Sequence, residues 1–352
     1  MMATGTLSID LPETAADNKN INIVRAAEAE AKAKRQRIYN VLPVLSIGLT
    51  IAVDLGLERS FLHAETEAPY FSLLLAITLA GYLLFQAAGR VSDRFLSLTE
   101  GAKDRALFLA GFVLLLNIVN LLTAKLAILP PLYFPAIDRV LEVVVEDWAY
   151  LLKCTAYSYR LLLLGWLFGA TAGLITAVLI GFSTKANYWL QPFIKVLGPI
   201  PTSAWIPLVL VAFPSVVSGS VFLIALAVWF PTTVLTSSGI ANIKNSYFEA
   251  ASTLGASRWY QIRHIGIPAA MPSVFQGLFN GTSASFITLV IAEMLGAKYG
   301  LGWYINWQKE MMAYANVYAG LLLIAVSFSL IISLLLKVRN RALVWQKGVI
   351  KW

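Results

Sequence analysis

The chain has 352 residues, of which 58% are hydrophobic and 13% are charged, and its mean hydropathy is +0.71. This composition is too apolar for a soluble domain and predicts an all-α protein that crosses a membrane several times. The formal net charge is +8, but Lys and Arg stand at the ends of apolar segments and form no basic stripe, which argues against nucleic acid as a partner. A single cysteine excludes an internal disulfide, and no thiols or histidines have the spacing of metal ligands.

The N-terminal third begins with a polar segment and continues with apolar ones. Residues 1–37 lack apolar periodicity, so we expect a disordered start that leads into a polar cytoplasmic helix. Residues 38–57, 70–88 and 106–129 are each long enough to cross a hydrocarbon core of about 30 Å. Asp54 is expected at the outer end of the first span, in the headgroup region.

An amphipathic segment follows Pro130-Pro131. Residues 134–148 place apolar side chains at helical spacing, and the other side carries Asp138, Glu142, Glu146 and Asp147. This pattern predicts a helix that lies along the membrane interface. Such a helix could anchor the chain to lipid or contact an external binding protein.

Five further apolar segments bring the predicted number of transmembrane helices to about eight. They cover residues 155–182, a stretch that ends near 213, and residues 222–239, 273–295 and 319–337. Pro199, Pro201 and Pro207 interrupt the stretch that ends near 213. Prolines at membrane depth leave backbone groups free, which is tolerated where neighbours or a water-filled path satisfy them. These prolines are therefore candidates for lining a path.

The span at 273–295 adds polar candidates for the path, namely Ser283, Ser285, Thr288 and Glu293. Hydroxyl groups in such helices are more often satisfied by their own backbone or a neighbouring helix than by a substrate. Glu293 is expected to be a structural or gate residue, since it would repel an anion. Arg160 and Lys298, near the outer face, could attract an anion or could simply anchor the helices at the interface.

The distribution of basic residues predicts the orientation of the chain. If the N-terminus is inside, most of the 27 Lys and Arg residues fall in cytoplasmic segments, as the positive-inside rule requires. Eight spans then return the tail, residues 342–352, to the cytoplasm. Residues 246–268 lie on the same side.

Residues 246–268 are the one polar, helix-coded segment between the apolar spans of the second half. Ser246 and Glu249 have the spacing of a capping box, which predicts that a helix begins there. Gly255 suits the left-handed residue that ends a helix. A second short helix is expected to follow and to end at Pro268. The segment is therefore predicted to form a helix–turn–helix on the cytoplasmic surface.

A family resemblance rests on Glu249-Ala250-Ala251, Gly255 and Ile265-Gly266-Ile267-Pro268. This pattern resembles the EAA loop of bacterial ABC-importer permeases, the cytoplasmic element that docks on an ATP-binding subunit. Its one departure is Ile267, where leucine is usual. The resemblance implies a coupling role for Glu249, Ala250, Ala251, Gly255, Arg258, Ile265 and Pro268.

Other stretches between residues 103 and 341 resemble the permeases of the nitrate, sulfonate, taurine and bicarbonate class. They are residues 129–131, 159–165, 198–201 with 205–207, and 291–296 with 299–302. The resemblance implies a six-helix permease core at 103–341, with 38–102 as a two-helix extension. It also implies a bacterial inner-membrane location, a second permease copy, an external solute-binding protein and a small oxyanion or organic sulfonate as the solute. Pyrimidines related to thiamine precursors and aromatic acids are the alternative solutes.

The sequence assigns no catalytic residue, metal or cofactor to this chain. It contains no G-x-x-x-x-G-K-[ST] loop, so ATP and Mg are expected on a partner ATPase subunit. Three other classes stay open as alternatives. One is a non-transporting scaffold or anchor, against which the proline-interrupted stretch argues. An ion-driven secondary transporter would need no ATPase. An intramembrane enzyme would need a reactive cluster within the spans, whereas the two histidines, His63 and His264, lie outside them.

Overall fold

The computed structural model describes residues 41–60, 68–91, 93–294 and 296–345, and the side chains of these residues apart from 89–104. The predicted polar segment 1–37 and most of the predicted tail at 342–352 lie outside the described residues. The described part of the chain is helical and contains no strand. The prediction of an all-α fold is confirmed.

The chain divides into two compact units, with the boundary between Asp138 and Arg139. The first unit holds α1 (Val41–Gly56), α2 (Tyr70–Val91) and α3 (Asp93–Asn120), and α4 (Ile137–Glu146) begins at its end. The second unit holds α5 (Trp148–Phe182), α6 (Thr184–Leu197), α7 (Ile206–Ala212), α8 (Val216–Ala241), α9 (Asn245–Thr253), α10 (Arg258–Gln261), α11 (Ile267–Met294), α12 (Leu301–Glu310) and α13 (Tyr314–Ala342). The third predicted span therefore lies in the first unit, although the sequence places the start of the permease core at residue 103.

Among the described residues, six helical segments are long and apolar enough to cross a membrane, or seven if the bent pair α6 and α7 forms one span. α1 is a shorter apolar helix. A polytopic membrane protein is confirmed, and the count of eight spans stays a prediction.

The first unit is held together by a buried polar cluster around Asp54, at the end of α1. The Asp54 carboxylate accepts hydrogen bonds from Ser72 Oγ at 2.5 Å and Asn120 Nδ2 at 2.8 Å. Lys125 Nζ lies 3.3 Å from the same carboxylate and donates to the Leu57 carbonyl oxygen at 2.8 Å. Asp54 is only 4% exposed, so its carboxylate is satisfied by protein groups rather than by the expected headgroup region.

Asp138 does not lie on the exposed polar side of α4, as the sequence predicts. It is 1% exposed, accepts a hydrogen bond from the Phe71 backbone N–H at 2.8 Å and pairs with Arg59 at 3.1 Å. The prediction was wrong because helical spacing does not reveal that the free N–H groups at the start of α2 and a nearby guanidinium compensate this carboxylate. Burial raises the pKa of Asp138 above its ordinary value, although the Phe71 N–H and Arg59 oppose that shift.

The predicted amphipathic helix is shorter than the pattern at 134–148 suggests. α4 covers Ile137–Glu146, and Trp148 already belongs to α5. Asp147 separates the two helices, and its N–H still bonds to the Val143 carbonyl at 2.9 Å. The next predicted span, which the sequence starts at residue 155, therefore begins about two turns earlier.

In the second unit, α8 packs between α5 and α11 at close range because glycines line both contacts. A Cβ added to Gly277 of α11 would lie 2.9 Å from Thr232 Cα of α8, and one added to Gly173 of α5 would lie 2.9 Å from Thr232 Cβ. Such separations require residues without side chains, as in other tightly packed membrane helices. Backbone contact thus joins the three central helices.

We expect Gly277→Ala to lower the free energy of unfolding by about 1–3 kcal/mol, because the methyl group would displace the α8 backbone. Gly111→Ala is the matched control, since a Cβ at Gly111 of α3 would meet nothing within 4 Å. That change should be neutral or stabilising by up to about 1 kcal/mol, because alanine favours helix more than glycine. Thermal unfolding of the full chain in detergent measures both variants. Equal changes in the free energy of unfolding would contradict the packing argument.

The proline-containing stretch is interrupted, as predicted. α6 and the segment Thr202–Ala212 meet at an angle of 91°. Pro201 caps the short 3-10 turn Thr202–Trp205, and Pro207 lies in the first turn of α7. A missing N–H is harmless at both positions, since neither would have an intrahelical partner.

Candidate functional site

A cavity of about 370 Å³ lies where the break between α6 and α7 faces α8 and α11. Its lining includes Pro201, Thr202, Trp205, Phe230, Asn280 and Thr288. Apolar walls with a few convergent polar groups are typical of small-ligand sites. The groups on this lining are hydroxyls, an amide and aromatic rings, which can contact a small polar molecule.

One predicted path hydroxyl reaches this cavity, and two bond within their own helix. Thr288 Oγ1 lies 2.7 Å from Thr202 Oγ1 and so connects α11 to the 3-10 turn. Ser283 donates to the Phe279 carbonyl at 3.1 Å, and Ser285 donates to the Thr282 carbonyl at 2.7 Å. Ser285 is fully buried. Its hydroxyl therefore satisfies a helix carbonyl rather than facing a solute.

Of the predicted prolines, Pro201 borders the 370 Å³ cavity, and Pro199 borders a second cavity of about 690 Å³ between α5, α6 and α8. Pro207 is not among the lining residues of either cavity. The structure thus places the predicted path residues around the interrupted stretch without gathering them at one point. Their role in the path stays a prediction.

Glu293 lies outside the 370 Å³ cavity and joins three helices. It is fully buried, and its carboxyl accepts hydrogen bonds from Ser158 Oγ of α5 at 2.7 Å and from the Gly302 N–H of α12 at 2.8 Å. Ser158 Oγ in turn accepts from the Leu301 N–H at 2.9 Å. The carboxyl therefore caps the start of α12 from the end of α11. A buried acid with this many partners is positioned as a structural element.

Two glycines at the start of α12, one just before the helix and one in its first turn, were the sequence signal for this arrangement. Gly300 has φ +134°, and a Cβ there would lie 2.5 Å from the Glu293 carboxyl carbon. Gly302 brings its N–H to the same carboxyl. When a span ends in an acid, a Gly-x-Gly pair after it can leave room for the carboxyl and donate a backbone N–H to it.

At the other end of the second unit, α9 and α10 form the predicted helix–turn–helix. α9 begins at Asn245, and its N-cap is Lys244, which has no side-chain capping bond. The capping box from Ser246 to Glu249 is therefore absent. The prediction was wrong because the N-cap is two residues earlier, at Lys244, so Ser246 lies within the helix and lacks the extended backbone that a cap requires. Glu249 is exposed to solvent.

Gly255 ends α9 as predicted. Its φ is +78°, and its N–H bonds to the Ser252 carbonyl at 3.0 Å. A Cβ at this position would meet nothing within 4 Å, so backbone conformation rather than crowding requires the glycine.

Pro268 does not end the second helix. α10 continues through a π-helical turn, Ile262–Gly266, into α11, so that Arg258–Met294 forms one continuous segment of 37 residues. The wider turn, in which the Ile267 N–H bonds to the Ile262 carbonyl, directly precedes Pro268 and accommodates its ring. The surface helix is thus the beginning of a helix that lines the 370 Å³ cavity.

Arg258 anchors the helix–turn–helix to the end of α5. Its Nη2 donates to the Phe182 carbonyl oxygen at 2.6 Å, one of the free carbonyls of that helix terminus. The Phe182 ring packs edge-on against Phe248 of α9, with centroids 6.2 Å apart. Gln261 Nε2 donates to Ser252 Oγ at 2.9 Å and ties α10 to α9. These contacts hold α9 and α10 against each other and against the end of α5.

The outward face of this helix–turn–helix is apolar at its tip. Leu254 is 87% exposed and Trp259 is 71% exposed. Ala250 and Glu249 are exposed beside them, whereas Ala251 is buried against the rest of the chain. Of the other coupling candidates, Ile265 is partly buried and Pro268 is exposed. The tip of the helix–turn–helix therefore presents two large apolar side chains on its surface.

Long apolar helices, a proline-interrupted stretch beside a cavity and an exposed helix–turn–helix at one end are the features expected of a membrane permease subunit. Residues 169–344 match the family described as binding-protein-dependent transport system inner membrane component, and the chain belongs to this family. It is a non-catalytic permease subunit of an ABC importer, a class located in the inner membrane.

Three relatives illustrate the range of the family. The chain is 31% identical to the aliphatic sulfonates transport permease protein SsuC of Bacillus subtilis over 53% of this chain and 67% of that protein. It is 29% identical to the taurine transport system permease protein TauC of Escherichia coli over 65% of this chain and 83% of that protein. It is 31% identical to the nitrate import permease protein NrtB of Leptolyngbya laminosa over 47% of this chain and 61% of that protein.

Proposed function

We propose that this permease subunit forms a path for a small oxyanion or organic sulfonate and that residues 246–268 couple the path to a separate ATPase subunit. The named solutes of the relatives, sulfonates, taurine and nitrate, support the solute class. The permease family supports an ATPase partner and an extracytoplasmic binding protein. ATP and Mg act on the ATPase subunit, while this chain supplies the path.

The observation that carries the proposal is the continuity of the exposed tip with the helix that lines the cavity. A partner that binds Leu254 and Trp259 and moves when it closes on ATP would move α10, and α10 is the first turn of the segment that includes α11. Arg258 would transmit the same motion to α5. A partner shifts such an equilibrium only through different contacts in its two states, and a rigid lever makes that difference effective.

The assembly contains a second permease, either a copy of this chain or a related one, in a bacterial inner membrane. Both termini lie in the cytoplasm in this proposal, on the side of the helix–turn–helix, since the distribution of Lys and Arg favours that orientation. The extension at 38–102 is additional to the permease core at 103–341. The alternatives, an ion-driven transporter and an intramembrane enzyme, are not favoured, because the named relatives are permease proteins.

Co-purification tests the coupling role. We expect the tagged native chain in mild detergent to bring down an ATP-binding subunit, identified by mass spectrometry. Glu249→Arg and Gly255→Trp should each reduce its recovery at least tenfold, because the first reverses an exposed charge and the second disturbs a turn with φ +78°. Glu310→Arg, a charge reversal at an exposed residue at the end of α12, should leave the recovery unchanged.

Two results would contradict the coupling role. One is the absence of an ATPase from a folded native chain under conditions that keep other membrane complexes intact. The other is native recovery from both hairpin variants. The first result would favour an ion-driven mechanism, whereas the second would mean that the ATPase binds elsewhere on the chain.

A further inference from the structure

A separate cavity of about 390 Å³ lies among the N-terminal half of α5, the start of α8 and the loop between α11 and α12. Its lining includes Tyr157, Arg160, Val216, Val217, Lys298 and Tyr299. It shares no lining residue with the 370 Å³ cavity. The function described above does not use it.

The lining of this cavity is cationic. Arg160 and Lys298 come from different elements and are both exposed, and in the described part of the chain neither forms an ion pair. A third cation, Lys153, holds its Nζ 4.0 Å from the centroid of the Tyr299 ring. Tyr157 packs against Tyr299 with centroids 5.0 Å apart. Two cationic side chains thus border a cavity whose wall includes two tyrosine rings.

The first turn of α8 adds donors to the same cavity. Ser215 is the N-cap of this 26-residue helix, and its Oγ accepts from the Ser218 N–H at 3.1 Å. The two preceding amides belong to Val216 and Val217, which both line the cavity. The first N–H groups of a helix have no intrahelical acceptor, and they favour anions.

The position of this cavity relates it to the path. Arg160 and Phe182 lie on the same helix, so the cavity is about 33 Å from the end of α5 that holds the helix–turn–helix. A cavity of about 190 Å³ shares Ser215 and Val216 with it and is lined by Ile206 and Ala292. Those two residues directly follow Trp205 and Ile291, which line the 370 Å³ cavity. The 190 Å³ cavity therefore lies next to both the 390 Å³ and the 370 Å³ cavity.

We propose that the 390 Å³ cavity is an entry site that binds one small oxyanion between Arg160, Lys298 and the free amides of α8 before the anion reaches the central cavity. This inference rests on the proposed function and extends it, because it assigns a solute-binding site to this chain. A planar guanidinium forms paired hydrogen bonds to sulfonate, nitrate or bicarbonate oxygens, and a lysine adds charge. The anionic headgroup of a lipid has the same chemistry, so the source of the anion must be tested.

Calorimetric titration of the full chain in phosphatidylcholine nanodiscs, with methanesulfonate and with nitrate as probes, separates the two sources. Those discs carry no anionic lipid, so binding there assigns the site to a soluble oxyanion. We expect at least one probe to bind, Arg160→Gln and Lys298→Gln each to weaken it about tenfold, and the double variant to abolish it. Arg160→Lys should retain partial affinity. Lys309→Gln, at an exposed lysine of α12 outside the cavity, should change nothing.

Three results would overturn the entry site. The first is that neither probe binds to the native chain, and the second is that the double variant binds as well as the native chain. The third is thermal stabilisation by phosphatidylglycerol that Arg160→Gln removes, without binding of either probe, which would assign the site to a lipid headgroup. Recovery of the ATPase subunit with these variants reports on the coupling role separately. Loss of anion binding with intact ATPase recovery would therefore leave the proposed function standing.

Discussion

Replacement of Ala284 by tryptophan should abolish solute uptake, with a loss of at least a hundredfold. Ala284 lines the 370 Å³ cavity and is partly exposed to it, beside Thr288 on the next turn of α11. An indole at this position would fill the space between α11 and the interrupted stretch. Because the side chain enters an existing cavity and not a packed contact, the fold should tolerate it. Uptake of labelled taurine, nitrate and bicarbonate by cells that express the importer measures the effect.

Ala172→Trp is the matched control. Ala172 is exposed on α5 and does not line the 370 Å³ cavity, so the same added bulk should leave uptake near the native level. Recovery of the ATPase subunit should be native for both variants, which separates a blocked path from a lost assembly. Native uptake by Ala284→Trp, in a chain that is folded and assembled, would exclude this cavity from the path.

Local patterns in the sequence predicted features whose cause is local. Gly255 ends α9 because only a residue without Cβ adopts φ +78° without strain, and that requirement is visible in the residue itself. The prolines between α6 and α7 predicted an interrupted stretch for the same kind of reason, since a missing N–H acts on its own turn. The long apolar segments likewise indicate membrane helices by their length alone.

Features that depend on distant partners were not predictable. Asp138 falls on the polar side of a helical pattern, yet the N–H of Phe71 and the guanidinium of Arg59 bury it. Pro268 predicted a helix end, whereas a π-helical turn before it preserves one continuous helix. Ala251 belongs to the motif that implies partner contact, but it packs within this chain. For Asp138 and Ala251, tertiary contacts supply an energy that a single segment does not encode, whereas the turn before Pro268 is a local alternative to ending the helix.

Glu293 is a path candidate from the sequence, whereas in the structure its carboxyl caps the start of α12. Glu293→Ala should lower the free energy of unfolding by about 3–5 kcal/mol, since it leaves the Ser158 hydroxyl and the Gly302 N–H without acceptors in a buried site. Thermal unfolding of the full chain in detergent measures the loss. Glu310→Ala, at an exposed position, should cost less than about 0.5 kcal/mol.

Glu293→Gln distinguishes a cap from a path residue. The amide oxygen can still accept from the Gly302 N–H. The amide NH₂ can donate to Ser158 Oγ, but this reverses the native bond and takes away the acceptor of the Ser158 O–H, so a structural role predicts a cost of about 1–2 kcal/mol and nearly native uptake. A role in gating or in contact with the solute predicts the reverse, a stable and assembled chain that no longer transports. The second result would place the Glu293 carboxyl in the path, since the amide preserves its shape and its partners while removing the acid.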